Sequence, residues 1–318
     1  ERSEKEPNDA IEAGEKLEKL PLCVNGVLEK SGDIDGFAIQ VEAGRTIVAA
    51  VEAYALGSPI DPVLNLYDEQ GTRIATAHDG RNLDSLLAHK VGTSGRYTIQ
   101  ISGFTHPPAA DVRFTGGSSI VYRLNITTEP VVTQLLPAAV PFGARASAEM
   151  RGWNLEKINP AFEVDGSRLA IGDAVQLLQL PKWSMGPVQV VATAAVPVLE
   201  KEPNNSAREA TFVGLPCVAG GVISAAGDVD RFAFQARKGE RIVTRVRSKA
   251  LGMPLDASLR IEQADGKMLA SNDDSGDPPD PMAAFSIPAD GTYHAVVSDL
   301  FNKGGEKHGY VIEIGVER

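Results

Sequence analysis

Apolar and polar residues alternate with a period of two along most of this chain. FAIQV at 37–41, TIVAAVEA at 46–53, VLNLYD at 63–68, YTIQIS at 97–102 and YRLNI at 122–126 alternate or run apolar over strand lengths. Turn signals separate them: EAGR at 42–45, DEQG at 68–71, TSGR at 93–96, RKGE at 237–240, QADG at 263–266 and PADG at 288–291. No segment carries a 3.6-residue period with caps, and Asp9–Leu20 holds at most a short helical turn. Many short strands at this spacing predict antiparallel β-sandwiches.

The pattern repeats. EKEPND at 4–9 returns as EKEPNN at 200–205, and GDIDGFAIQ at 32–40 as GDVDRFAFQ at 227–235. ALGSPIDPVLNL at 55–66 returns as ALGMPLDASLRI at 250–261, and GRYTIQIS at 95–102 as GTYHAVVS at 291–298. Each copy closes on an alternating strand, YRLNI at 122–126 and YVIEI at 310–314. The offset holds at 195 or 196 and falls to 188 at the last strand, so the first copy carries extra residues between Ser102 and Tyr122. Copies of this length are domains rather than solenoid units. The segment between them, from about Val131 to Pro197, is also strand and turn, and has the length of a small immunoglobulin-like sandwich. The expected architecture is all-β: three β-sandwich domains at 1–129, 130–198 and 199–318.

Composition narrows the function. With 43% hydrophobic residues, 31 Gly and 20 Pro, the chain is globular and turn-rich. A net charge of -11 argues against nucleic-acid binding, which needs clustered Lys and Arg. No stretch approaches the roughly 20 apolar residues of a membrane-spanning helix. The start, ERSEKEPND, has no apolar signal core, so an export signal is either not used or already removed. Two cysteines make neither a disulfide framework nor a Cys-rich zinc site, and Cys23 and Cys217 are read as buried free thiols.

The order ExEPN, GDxDxF, (I/L)DxxLxL, a glycine turn and GxY resembles the bacterial pre-peptidase C-terminal domain, a family that includes the collagen-binding domains of clostridial collagenases. Both outer copies carry it. The middle segment resembles an IPT/TIG immunoglobulin-like domain through Pro137, Gly143, the run Gly152-Trp153-Asn154-Leu155, Val164-Asp165-Gly166, Pro181 and Gly186. The resemblance implies jelly-roll-like sandwiches in secreted, periplasmic or cell-surface proteins. Such domains serve as accessory modules beside an exported enzyme, and some bind calcium, collagen or polysaccharide.

In an extended segment residues i, i+2 and i+4 face one way, so Glu4, Glu6 and Asn8 share a side. Asp33 and Asp35 share a face of their own turn. If the N-terminal segment folds back beside that turn, an oxygen-only set converges that suits calcium, with no His or Cys to suit zinc or copper. The resemblance places the family's ligands on Glu4, Glu6, Asn8, Asp9, Asp33 and Asp35, and on Glu200, Glu202, Asn204, Asp228 and Asp230. Asn205 stands where the first copy has Asp9, one charge fewer. A second reading stays open: ExEPN as a solvated linker and GDxD as a turn whose carboxylates bond backbone N–H groups.

A further acidic run, Asn272, Asp273, Asp274, Asp277 and Asp280, matches a stretch with Asp79 and Asp84, and reads as a solvated loop because it lacks EF-hand spacing. Phe104, His106 and Phe114 in the extra loop of the first copy, and Phe301 in the second, are candidate ligand contacts. GxSxG, HExxH, GxGxxG and GxxxxGK[ST] are all lacking. The expectation is a non-catalytic, monomeric binding or accessory module for an extracellular polysaccharide or protein, with calcium as its cofactor. The alternatives are the accessory tail of an exported protease or other hydrolase, and a structural spacer.

Overall fold

The computed structural model describes residues 1–78, 80–81, 83–108, 113–169, 175–178, 188–276 and 278–317. Asp79, Pro181, Gly186 and Asp277 lie outside the described residues. The fold is all-β, and the described residues contain short 3-10 turns but no α-helix. One of these turns, Ile11–Ala13, falls where the sequence allowed a short helical turn. The chain forms two compact units, Glu1–Val131 and Val132–Arg318.

The first unit is built from β1 (Arg2–Ser3), β2 (Glu15–Lys16), β3 (Leu22–Val27), β4 (Asp35–Val41), β5 (Thr46–Glu52), β6 (Ile60–Tyr67), β7 (Arg73–Ala77), β8 (Gly80–Arg81), β9 (Asp84–Lys90), β10 (Gly95–Thr105) and β11 (Val121–Thr127). Two sheets result, ordered β1-β3-β11-β5-β9-β8 and β2-β4-β10-β6-β7. Inward residues of both sheets, among them Val24, Phe37, Ile47, Leu64, Ile99 and Leu124, make one core. The alternation predicted from sequence thus becomes two apolar faces packed on each other.

The N-terminal segment joins the two layers. β1 pairs in parallel with β3 in one sheet and β2 with β4 in the other, so residues 4–14 cross between the sheets. Beyond the crossing, the segment lies over the outer face of β4 and β10. Its backbone accepts from Gly36 N at Asn8 (3.1 Å), from Gln100 Nε2 at Asp9 (2.9 Å) and from Arg96 at Ile11 (2.9 Å). This cover explains why Ala38 and Thr98, on the outer face, are buried.

The second unit begins with β12 (Val131–Leu136), β13 (Ala139–Pro141), β14 (Arg145–Trp153), β15 (Ala161–Asp165), β16 (Val175–Leu178) and β17 (Val188–Thr193). These form two three-stranded sheets, β12-β14-β15 and β13-β17-β16, around Val132, Leu135, Val140, Met150, Val164 and Val190. Then follow β18 (Val198–Leu199), β19 (Thr211–Phe212), β20 (Cys217–Val222), β21 (Val229–Ala236), β22 (Arg241–Arg247), β23 (Ala257–Gln263), β24 (Met268–Asn272), β25 (Met282–Ser286), β26 (Gly291–Asp299) and β27 (Gly309–Val316). Their two sheets, β18-β20-β27-β22-β25 and β19-β21-β26-β23-β24, repeat the order of the first unit, with the parallel edge strands β18 and β19 but, among the described residues, no counterpart of β8. A small apolar cluster of Ala138, Ala139 and Val191 with Val218, Leu251, Met253 and Val311 ties the middle strands to the second copy. Cys217 is buried as expected, whereas Cys23 is half-buried because its edge-proximal strand is only partly covered; both are free.

Candidate metal centres

Each repeat places three carboxylates at the gap between its sheets, where the N-terminal segment crosses. In the first unit Glu4 follows β1 directly, and its backbone N donates to Asn25 O (3.0 Å), continuing the pairing with β3. Its side chain then turns inward. Val27 N donates to Glu4 Oε1 (2.6 Å), and the Tyr122 hydroxyl lies 2.8 Å from Glu4 Oε2. Tyr122 opens the alternation of β11 in one sheet and Asp35 starts β4 in the other. The same hydroxyl reaches Asp35 Oδ2 across the gap at 2.6 Å. Glu6 completes the group: carboxylate oxygens of Glu4, Glu6 and Asp35 all lie within 4.8 Å of one another.

The second copy repeats this residue for residue. Glu200 accepts from Val222 N (2.7 Å), the Tyr310 hydroxyl reaches Asp230 (2.6 Å) and Glu200 (3.4 Å), and Glu200, Glu202 and Asp230 gather within 4.8 Å. Tyr122 and Tyr310 sit opposite Gly26 and Gly221 in the sheet register, and a Cβ at either glycine would overlap the ring. The glycines are therefore required by the close approach of the rings, not by the turn chemistry usual for this residue.

The electrostatics are those of crowded, desolvated acids. Burial pushes the Asp35 carboxyl up to about 9, with the Tyr122 hydrogen bond opposing and the Glu4 charge adding. Burial pushes Asp230 up to about 10, with Glu200 adding. Burial also raises Glu6, Glu200 and Glu202, and Tyr122 and Tyr310 titrate well above the usual tyrosine range. One phenolic proton cannot serve two carboxylates fully at once, and the raised Asp35 and Asp230 carboxyls favour a further proton in each cluster when no cation is bound. Asp35 Oδ1 and Asp230 Oδ1 are buried and accept no hydrogen bond. An unpartnered carboxylate oxygen facing two further carboxylates matches what an oxygen-preferring divalent cation uses.

The other sequence candidates take different places. Asn8 and Asn204 are fully buried beside the cluster. Asn8 Oδ1 accepts from Gly36 N (3.3 Å), while Asn204 Nδ2 donates to Glu200 (3.2 Å) and leaves its Oδ1 without a donor. Asp33 accepts from Glu29 N and pairs with Lys30 (3.6 Å); Asp228 accepts from Ser224 N (2.6 Å) and Ser224 Oγ (2.7 Å). These two aspartates hold their own turns. Asp9 faces Lys30 (3.6 Å), and Asn205 Oδ1 caps Val229 N (2.9 Å). Tyr122 and Tyr310 escaped the sequence reading, although their matched place at the head of the last strand was the available signal.

The second acidic run divides. Asp280, read as part of a solvated loop, is 7% exposed and accepts from the N–H groups of Ser248, Lys249 and Ala250 at 2.8–3.0 Å. Asp84 does the same for Ala53, Tyr54 and Ala55. Both carboxylates lock a 3-10 turn that the loop reading did not foresee, because the turn lies about 30 residues upstream. Of the loop aromatics, Phe104 and Phe114 pack on each other (5.1 Å between centroids) and His106 packs edge-on to Tyr54 (5.4 Å). Phe301 stays 64% exposed on a loop fixed by Asp299, which accepts from Phe301 N (2.9 Å) and Lys303 N (2.8 Å).

No family model matches the chain. Over 105 residues, 32% of this chain, it is 37% identical to a probable subtilase-type serine protease of Deinococcus radiodurans. That stretch is 14% of the relative's length, so the chain corresponds to a small part of it. Among solved structures, the pre-peptidase C-terminal domain of a collagenase from Bacillus anthracis aligns with 36% of this chain and 98% of its own, at 19% identity and a TM-score of 0.28. A periplasmic inhibitor of g-type lysozyme from Aeromonas hydrophila aligns with 38% of this chain and 100% of its own, at 12% identity and a TM-score of 0.27. Among the described residues no helix is long and apolar enough to cross a membrane.

Proposed function

We propose that the chain is a non-catalytic accessory module of an exported enzyme, secreted or held at the cell surface, whose two outer copies are pre-peptidase C-terminal-like domains stiffened by calcium. The observation that carries this reading is the twin convergence of Glu4, Glu6 and Asp35 and of Glu200, Glu202 and Asp230. A solvated linker has no reason to gather the same three carboxylates twice around a buried aspartate, Asp35 or Asp230, at a desolvation cost that a cation would offset. Bound calcium would offset most of the negative charge of each cluster and fasten the crossing segment to both sheets, with Asn8 and Asn204 at its side. The partial identity to a protease supports the accessory role. The middle segment acts as an IPT/TIG-like spacer, and the ligand is an extracellular polysaccharide or protein.

The test is a thermal melt in EDTA, with calcium, and with magnesium. Calcium is expected to raise the melting temperature and magnesium to leave it nearly unchanged, because magnesium demands tighter octahedral geometry. Asp35→Asn together with Asp230→Asn should abolish the calcium shift. An unchanged melt in calcium overturns the metal reading and leaves the clusters as proton-bridged clasps.

A further inference from the structure

The second unit contains a cavity of about 240 Å³ lined by Thr133, Gln134, Arg151, Gly152, Trp153, Glu306 and Lys307. Its walls come from β12, from the end of β14 and from the loop between β26 and β27. Trp153 is half-buried. The Lys307 ammonium rests over its ring, 3.9 Å from the centroid, and pairs with no carboxylate among the described residues. Lys307 is exposed as a residue, yet desolvation around its ammonium lowers the pKa, which marks a cation short of counter-charge. Arg151 pairs with Glu149 (3.2 Å) through one terminal nitrogen, while its Nε is buried and donates to nothing. Gln134 Nε2 is used by Glu306 O (2.9 Å), which fixes the amide and turns its Oε1 toward acceptance.

We propose that this cavity binds a carboxylated sugar residue of an extracellular polysaccharide, an inference that rests on the accessory-module reading and names its ligand class. The assignment follows from the wall chemistry. Lys307, which pairs with no carboxylate among the described residues, is set to receive an anion, and Arg151, its charge met by Glu149, still offers an Nε that donates to nothing; together they suit a carboxylate. Once the Lys307 ammonium has left the Trp153 face for the carboxylate, the ring offers a flat apolar surface of the kind that a pyranose covers, and Thr133 and Gln134 bond its hydroxyls. A neutral sugar would leave Lys307 without a counter-charge. A bare carboxylate would leave the ring uncovered. The cavity is small, so it takes one ring of a longer chain, and affinity in a polymer would grow through repeated engagement.

The experiment is calorimetric titration of the full chain, in EDTA-free low-salt buffer, with trigalacturonate, with neutral maltotriose and with acetate. Saturable binding of trigalacturonate is expected, weakening as salt rises, with maltotriose and acetate at least about tenfold weaker. Lys307→Gln and Trp153→Leu should each weaken trigalacturonate at least about tenfold, and Lys307→Arg should retain it. Equal binding of maltotriose, absence of trigalacturonate binding, or a Lys307→Gln variant that binds as before each overturns the proposal. If Lys307→Gln lowers the melting temperature but leaves the titration unchanged, the lysine is a prop between strands and the proposal is likewise overturned. Retention of binding to matrix proteins or neutral glycans by Lys307→Gln would remove this site and leave the accessory-module reading standing. Failure of the calcium melt, with trigalacturonate bound, would remove the metal reading and leave this site standing.

Discussion

Two tyrosine hydroxyls decide how the acidic motifs behave. Tyr122 and Tyr310 each stand between a glutamate and an aspartate of different sheets, within hydrogen-bond distance of both. Tyr122→Phe and Tyr310→Phe should each destabilise the metal-free protein by about 1–3 kcal/mol, measured by urea unfolding, since buried acceptors lose their donor. The proton held by each cluster sets a pH dependence. Asp35 and Asp230 titrate near 9 and 10 in the folded chain against 3.8 for an ordinary aspartate. Between those values the folded state binds more protons than the unfolded state, so stability falls as pH rises. Urea midpoints in EDTA should therefore drop from about pH 5 to about pH 9, while calcium affinity rises over the same range as the metal displaces the proton. A flat profile in EDTA would show that the clusters hold no extra proton. The glutamates and aspartates were legible because their spacing repeats; the tyrosines were not, because a tyrosine heading a strand looks like any core aromatic.

The elements depend on carboxylates placed far away in sequence. Asp84 and Asp280 each hold three N–H groups of a 3-10 turn, Tyr54–Leu56 or Lys249–Leu251, and each turn ends on a left-handed glycine, Gly57 at φ 79° or Gly252 at φ 68°. Asp280→Ala should cost about 1–3 kcal/mol because its three donors lose their acceptor, whereas Asp273→Ala, at an exposed position, should change stability little. Parallel melts of the two variants check this contrast. Strand register is equally demanding at Gly26 and Gly221. Gly221→Ala should cost about 1–3 kcal/mol and weaken the calcium response of the second unit, because the methyl displaces Tyr310 from Asp230. Calorimetric melting in EDTA and in calcium tests both effects.

For the molecule as a whole, duplication predicts two separable stabilisations. A native-state ligand at a hundred times its dissociation constant adds about 2.7 kcal/mol to the domain that binds it. Glu4→Gln with Glu6→Gln should remove the calcium shift from the unfolding of the first unit alone. Glu200→Gln with Glu202→Gln should remove it from the second. Scanning calorimetry resolves the two if each unit melts as its own transition. Loss of both shifts from either pair of substitutions would mean that the repeats do not bind independently.

The sequence by itself determined the all-β class, the duplication, the strand periods and the local side on which Glu4 and Glu6 fall, because those are properties of neighbouring residues and their spacing. Tertiary structure decided the rest. Asp35 joins Glu4 and Glu6 while Asp33 turns to Glu29, since two parallel edge strands carry the N-terminal segment from one sheet to the other. Asp280 becomes a buried lock rather than part of a solvated loop, since its partners lie some thirty residues upstream. Trp153 and Lys307 meet across more than 150 residues of chain. Burial, and with it the value of each charge, exists only once the sheets have closed over these groups.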